Sequence, residues 1–491
     1  MNRAVSRPER TLLAPGLEIS RIVTGLWQVA DMERDGRTLD PEKGADALQA
    51  YAEAGFDTFD MADHYGSAEI IAGRFLARIA GSQQGARPAA FTKWCPEPGP
   101  MTAETVRAGV ARSLDRMRLE RIDLLQFHWW TFEHPAYLDA MIGLAQLMDE
   151  GRIGHLGVTN FDTAHLRVLV KHGIPVASNQ VSFSLLDRRA ADDMSAFCLE
   201  NGVRLLAYGT LGGGFLSERW LGEPEPAEVG DWSKMKYGRF ITAIGGWEAL
   251  QGILRAASDI AKKHGVSISN VAERWVLEQP AVAAIIVGAR LGEREHRADN
   301  LRAFSFALDA EDRARLDEAF ARTERIPGDC GDEYRKPPYL TASGDLSHHL
   351  STVTKAYRPE PVPGRPGRLR VDTGTVWEPL AGFARAVRIG DRILISGTTA
   401  TLGQGEVVCP GDAAGQTVYV LDRIRASLAA LGATLEDVVR TRIYVSDAAD
   451  WEPVSRMHGR TFGDIRPANT LVEAKLVGDY LVEIEAEAVV D

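Results

Sequence analysis

The sequence contains no apolar run approaching the ~20 residues needed to span a bilayer, so no membrane-spanning helix is expected. Its opening stretch, MNRAVSRPER, lacks the apolar core of a secretory signal, and a cytoplasmic location is expected. Cysteine is scarce. Cys95, Cys198, Cys330 and Cys409 are scattered without metal-ligand spacing, so neither a metal site nor a disulfide framework is predicted. Positive charge is in deficit, with 56 Lys and Arg against 68 Asp and Glu. No basic stripe offsets the net charge of −12, which excludes nucleic acid and other polyanions as partners. A G-x-G-x-x-G turn is also missing from the first strand–helix junction, which argues against an open dinucleotide-binding sheet.

What is present is a chain of 491 residues, too long for one ordinary domain. Short β-branched apolar runs recur through its first 290 residues: RIVTGLW (21–27), DTFDMA (57–62), AAFTKW (89–94), IDLLQFHW (122–129), IGHLGVTN (153–160), PVASNQVS (175–182), VRLLAYG (203–209) and VAAIIVGA (282–289). Amphipathic helical stretches separate them. Eight alternating strand–helix units predict a closed (β/α)8 TIM barrel, with residues 1–342 as its domain. LGGGF (211–215), after the seventh strand, reads either as a flexible loop or as a close backbone approach to a phosphate. The stretch 217–247 is an unusually long connection, predicted to shape specificity.

The character then changes. YRPEPVPGRPGR (357–368) carries four prolines without periodicity, and residues 343–367 are predicted to be an extended linker. Beyond it, strand-like alternation and two amphipathic helices predict a compact α+β domain over 368–491.

Functional residues of a parallel barrel gather at the C-terminal strand ends. There stand Asp60 and, one short loop later, Tyr65; strand three ends in Lys93 and strand four in His128. Each alone has an ordinary structural explanation, but four at consecutive strand mouths point to chemistry. An ammonium beside a phenol stabilises its phenolate, and a carboxylate holds that ammonium in place. An imidazole nearby can orient a carbonyl oxygen. The set suits proton donation to an oxygen gaining charge as a hydride arrives.

The arrangement resembles the aldo-keto reductase family over about residues 18–325. Asp60 and Tyr65 of DMADHY match its D-x-x-x-x-Y motif, with Lys93 in FTKW and His128 in LLQFHWW completing the tetrad. The resemblance implies NADP(H) lying across the strand mouths and a small-molecule carbonyl substrate. It places Thr159, Asn160 and Gln180 at the nicotinamide carboxamide, Tyr208 on the nicotinamide face and Leu211 in the loop over the pyrophosphate. Arg290 falls at the adenosine phosphate, and Asp299 and Asn300 at adenine. His296 stands where a second arginine is frequent; Arg294 or Arg297 either compensates or belongs to a solvated face. Trp27, Trp94 and Trp129 suggest an aromatic-walled substrate pocket. Two other readings stay open: a sugar 1-dehydrogenase working in the oxidative direction, and a non-enzymatic regulatory or scaffold subunit.

From about residue 368 the chain resembles the Rid/YjgF family, carried by ILISGTTA, RTRIYVSDAADW and RPANTLVEAKLVGDYLVEIEAEAVV. The resemblance implies a small chorismate-mutase-like α+β fold and a homo-oligomer, a trimer through this domain. The family's carboxylate-binding arginine is replaced here by Asn469, so deamination is expected to be absent. Glu485 matches the carboxylate of the deaminase water, and no cationic partner for it is evident in the sequence.

Overall fold

The computed structural model describes residues 5–29, 38–80, 87–229, 232–292, 295–335 and 353–490. All eight expected strands are present: Ile22–Gly25, Thr58–Asp60, Ala89–Trp94, Ile122–His128, Ile153–Thr159, Val176–Ser182, Arg204–Tyr208 and Val282–Gly288. They pair in parallel, in chain order, and the eighth closes on the first through Ile285↔Ile22. A parallel sheet covered on its outside by helices buries both faces, hence the nearly unbroken Val, Ile and Leu of these runs. A hairpin, Arg10–Ala14 with Leu17–Ser20, precedes the barrel and is not evident in the sequence pattern. Its Leu13, Leu17 and Ile19 pack with Val23, Phe91, Leu124 and Leu206 and plug the N-terminal end. Only the opposite end stays open.

The expected long connection contains a helix of its own, Trp232–Ala243, which brings Lys236 and Tyr237 over the open mouth. Residues 328–335, after the last barrel helix, cross the same mouth as a strap.

The second domain is a seven-stranded mixed sheet. Its order is Pro359–Pro361, Arg368–Val371, Ala386–Ile389, Arg392–Thr399, Val482–Val489, Val438–Val445 and Ala468–Glu473. The proline-rich stretch is therefore not wholly linker: Pro359–Pro361 pairs with Arg368–Val371. Proline donates no hydrogen bond, and an edge strand demands none on its free side. Residues 343–352 of the expected linker lie outside the described residues.

Helix Ala413–Ala430 is buried along most of its length because it packs on its own sheet, on the domain's other long helix Trp451–Phe462 and on barrel helix Thr163–Lys171. Polar groups at this junction are matched. Tyr137 Oη donates to Asp422 Oδ2 (3.0 Å), Arg167 pairs with Asp412 (2.5 Å), and the Cys409 thiol donates to the Val168 carbonyl (3.2 Å). His165 lies between Asp162 (2.8 Å) and Asp422 (3.3 Å), stacked on Phe132. Among the described residues, no helix is long and apolar enough to cross a membrane.

Burial opposes a charge on His165, but Asp162 and Asp422 outweigh it and raise its pKa above 6.5. A raised folded value contributes stability that is complete below the unfolded pKa and fades as pH rises through the folded one. The melting-temperature gap between the protein and His165→Gln should thus be widest at mildly acidic pH and narrow as pH rises past the usual imidazole range. A gap independent of pH would contradict a charged His165.

Candidate active site

The second strand ends in a buried carboxylate at the floor of the barrel's mouth. Asp60 is buried, and its Oδ2 accepts from Lys93 Nζ at 2.6 Å. Its Oδ1 accepts from the amides of Gln126 (2.8 Å) and Gln180 (2.9 Å), and Gln180 also donates to Gln126 Oε1 (2.8 Å). Lys93 donates a further bond to the Met61 carbonyl (3.1 Å). Strands two, three, four and six thus meet on one ion pair. Gln126 was not singled out from the sequence. The signal was there: it sits two residues before His128, on the same inward face.

Tyr65 follows in the turn after strand two, its ring centroid 4.9 Å from Lys93 Nζ and 4.9 Å from Trp27. His128 is buried at the end of strand four. Its Nε2 lies 3.4 Å from the Asn160 amide nitrogen, its Nδ1 3.7 Å from Cys95 Sγ, and its ring 4.1 Å from Trp130. Burial, then the charges of Arg335, His64, Lys93 and Lys236, hold its pKa well below the usual imidazole value. His128 is neutral at physiological pH and works as a hydrogen-bonding group.

A groove of about 650 Å³ leads away from these residues. Thr159, Asn160, Gln180, Tyr208 and Leu211 line it, and Arg290, His296, Asp299 and Asn300 lie at its far end. Asn160 has φ +57°, a left-handed turn that aims its amide oxygen at the Tyr208 hydroxyl (2.8 Å). Three features suit a nicotinamide dinucleotide. The Thr159 hydroxyl is buried without a partner. Gly209 and Gly213 pass so close to Tyr237 that a Cβ would meet it at 2.1 and 2.8 Å, leaving bare backbone at the groove. Arg290 supplies a cation at the far end. Arg297 does not join it: its guanidinium binds Glu295 and the Ala50 carbonyl, over the Tyr51 ring. Arg294 lies outside the described residues. Glu273, unnoticed in the sequence, also lines the groove, and burial pushes its pKa up to about 8.

Of the three tryptophans, only Trp27 reaches the groove. Trp94 and Trp129 are buried behind the barrel wall, which corrects the expectation of substrate contact. Successive strand residues face opposite sides, so Lys93 and His128 pointing inward turn the next residues outward. Trp94 fills the space that a Cβ on Gly109 would need, with Nε1 at 2.4 Å. Trp129 stacks on Phe127 and donates from Nε1 to the His134 carbonyl (3.0 Å). Tyr334, from the strap, supplies aromatic wall instead. Among the described residues, Asp63, His64 and Cys95 place ligand-type atoms within 4.8 Å of one another beside the site; burial holds the Cys95 thiol at about 11, protonated.

On the second domain, Glu485 does have a cationic partner, contrary to expectation. Arg442, opposite it on the neighbouring strand, reaches both Glu485 and Glu487 at 3.0 Å. Asn469 donates to Thr441 Oγ1 (2.9 Å), which also contacts His458.

Comparison with known proteins agrees with both domains. Residues 21–321 match the model of the Aldo/keto reductase family, and residues 374–490 that of Endoribonuclease L-PSP, the YjgF/Rid type. The chloroplastic pyridoxal reductase of Arabidopsis thaliana is 29% identical over 56% of this chain and 75% of its own. An uncharacterized protein of Streptomyces coelicolor is 38% identical over 24% of this chain and 90% of its own. The structure of a glycerol dehydrogenase from Gluconobacter oxydans superposes with a TM-score of 0.53, at 24% identity, over 64% of this chain and 95% of that one; this likeness speaks to the fold. The chain belongs to the aldo/keto reductase family, with a YjgF/Rid-type domain fused to its C-terminal side.

Proposed function

We propose that the barrel reduces the carbonyl of a ring-bearing aldehyde or ketone with NADPH, with Tyr65 as proton donor. The observation that carries this reading is the buried Asp60–Lys93 pair beside Tyr65, opposite a neutral His128 in the same groove. Thr159, Asn160, Gln180, Tyr208, Leu211, Arg290, Asp299 and Asn300 are the residues that would hold the nucleotide, which supplies a hydride when bound. Lys93 keeps positive charge beside the phenol and so favours the phenolate left after proton transfer. His128 hydrogen-bonds the carbonyl oxygen and directs it toward Tyr65. Arg290 at the far end favours a 2′-phosphate. A ring-bearing substrate suits Trp27 and Tyr334, and a relative named for pyridoxal points the same way. A purely regulatory role would not require all four tetrad groups to be assembled.

The second domain is proposed to assemble the protein and to lack imino-acid deamination. Its helices face the barrel, while the other sheet face, with Leu394, Tyr444 and Val472 among Arg442, Glu485 and Glu487, is not covered by the described residues. Three such faces packed together would give the trimer common in this family. Asn469 offers a neutral amide where a carboxylate clamp needs a charged fork, and Arg442 already spans two carboxylates.

In assays with 4-nitrobenzaldehyde and pyridoxal, Tyr65→Phe should lower kcat by about 10²–10⁴-fold while nucleotide affinity is kept. Near-wild-type turnover would remove Tyr65 from its role, and equal efficiency with NADH and NADPH would remove the phosphate contact. Light scattering of the full chain should report a trimer or a multiple of it, and hydrolysis of an α-imino acid should stay at the spontaneous rate. A monomer, or robust deamination, would contradict the respective half.

A further inference from the structure

The barrel's open end is finished by a segment that follows its last helix. The strap over 328–335 lies against the nucleotide side of the mouth so closely that a Cβ on Gly331 would meet the Asn160 carbonyl at 2.1 Å. Glu333 accepts from the Tyr208 hydroxyl (3.2 Å) and pairs with buried Arg189 (2.9 Å). The Tyr334 hydroxyl lies 3.2 Å from that of Tyr208 and accepts from Lys236, and its ring stands 5.8 Å from the His128 ring. Arg335 donates to the Trp129 carbonyl (2.8 Å) with its guanidinium over Phe132.

The strap has an acid at its root. Asp329 is held through its own carbonyl by Arg189 (2.8 Å), and its carboxylate accepts from the Thr163 amide (2.9 Å). That carboxylate faces Asp162, which caps the barrel helix starting at Thr163 and lies two residues beyond Asn160. Two carboxylates in a buried junction repel, and the neighbourhood of Asp162 raises the pKa of Asp329, after burial. The cation between them comes from the second domain. Arg460, on helix Trp451–Phe462, reaches Asp162 Oδ2 with Nη2 and Asp329 Oδ2 with Nη1, each at 3.1 Å.

We propose that Arg460 is a positioning residue for the barrel's active site: the second domain ties down the strap that forms the substrate wall and borders the nucleotide groove. Removing its charge leaves two acids facing each other at the strap's root, so the strap loosens while the rest of the junction stays docked. The fused domain is then a part of the reductase site rather than a passenger on it.

The experiment compares the full-length protein with Arg460→Met, Arg460→Lys and Arg167→Met. Arg167 is the control, because it pairs with Asp412 across the same junction without touching the strap. Hydrogen exchange reads the strap directly, through the Asp332, Tyr334 and Arg335 amides that bond to Asp329, Gly331 and Asp332 carbonyls. Arg460→Met should speed exchange there about tenfold or more, with Arg460→Lys intermediate and Arg167→Met unchanged. This arm is independent of the reductase reading; the kinetic arm rests on it. With NADPH and 4-nitrobenzaldehyde, Arg460→Met should raise KM about tenfold with kcat changed far less. The acid limb of kcat/KM should also move to higher pH. His128 is faced by Lys93 and His64, by Cys95, by Lys236 from the long connection, and by Tyr334 and Arg335 from the strap. Only the strap groups would leave, taking with them the Arg335 charge that depresses the imidazole. If Arg460→Met does not fold, Arg460→Gln carries the same expectation, since it also removes the charge and leaves Asp162 and Asp329 facing each other. Unchanged strap exchange, or the same change in Arg167→Met, would overturn the proposal.

Discussion

A carboxylate and an ammonium paired and buried at the mouth of a barrel constrain everything around them. Desolvating both charges costs several kcal/mol apiece, and the pair persists only if its remaining lone pairs and protons are also matched. Here most of them are: Asp60 takes Lys93 on one oxygen and two glutamine amides on the other, and Lys93 adds the Met61 carbonyl and stands over the Tyr65 ring. With Asp60 itself, these groups come from four different strands, so the pair forms only when those strands have come together in register. The geometry of the candidate site and the assembly of the barrel are thereby the same event. Removing either partner would leave an uncompensated buried charge, a loss of about 3–5 kcal/mol.

Much of this was legible in the chain. Runs of β-branched residues at regular spacing identify a parallel barrel because its strands are buried on both faces, and the strand ends expose the tetrad as polar breaks in apolar runs. What escaped did so for reasons of geometry. Trp94 and Trp129 look like pocket walls from their closeness to Lys93 and His128, yet the alternation that turns those two inward sends the next residue outward. Gln126 follows the same rule with the opposite result. The hairpin that plugs the N-terminal end is short, with Glu18 exposed between buried neighbours and Leu12 itself exposed, a pattern too brief to outweigh a loop. Pro359–Pro361 is a strand that proline content hides, tolerated only because it lies at the sheet's edge.

The junction between the domains was not legible at all. Asp162 and His165 lie one helical turn apart, but Asp329, Asp422 and Arg460 are far from them in sequence, and each alone reads as a solvated charge. Together they form a buried network in which charges offset one another across two folds. Through Asp162 and Asp329 that network touches both the nucleotide side and the substrate side of the barrel's mouth. The glycines over 209–214 belong with it functionally: positive φ at Gly209, Gly212, Gly213 and Gly214 lets bare backbone curve along the groove opposite the strap.

The central claim is that the charge on Lys93, held by Asp60, makes Tyr65 a competent acid. The most direct test is the single-turnover rate of carbonyl reduction in Lys93→Met at saturating NADPH, with nucleotide affinity followed by fluorescence titration. The account predicts a rate lower by about 10³-fold, since the stabilised charge appears only as the proton leaves, alongside a nucleotide Kd within about threefold of wild type. A folded Lys93→Met protein turning over within about tenfold of wild type would contradict it.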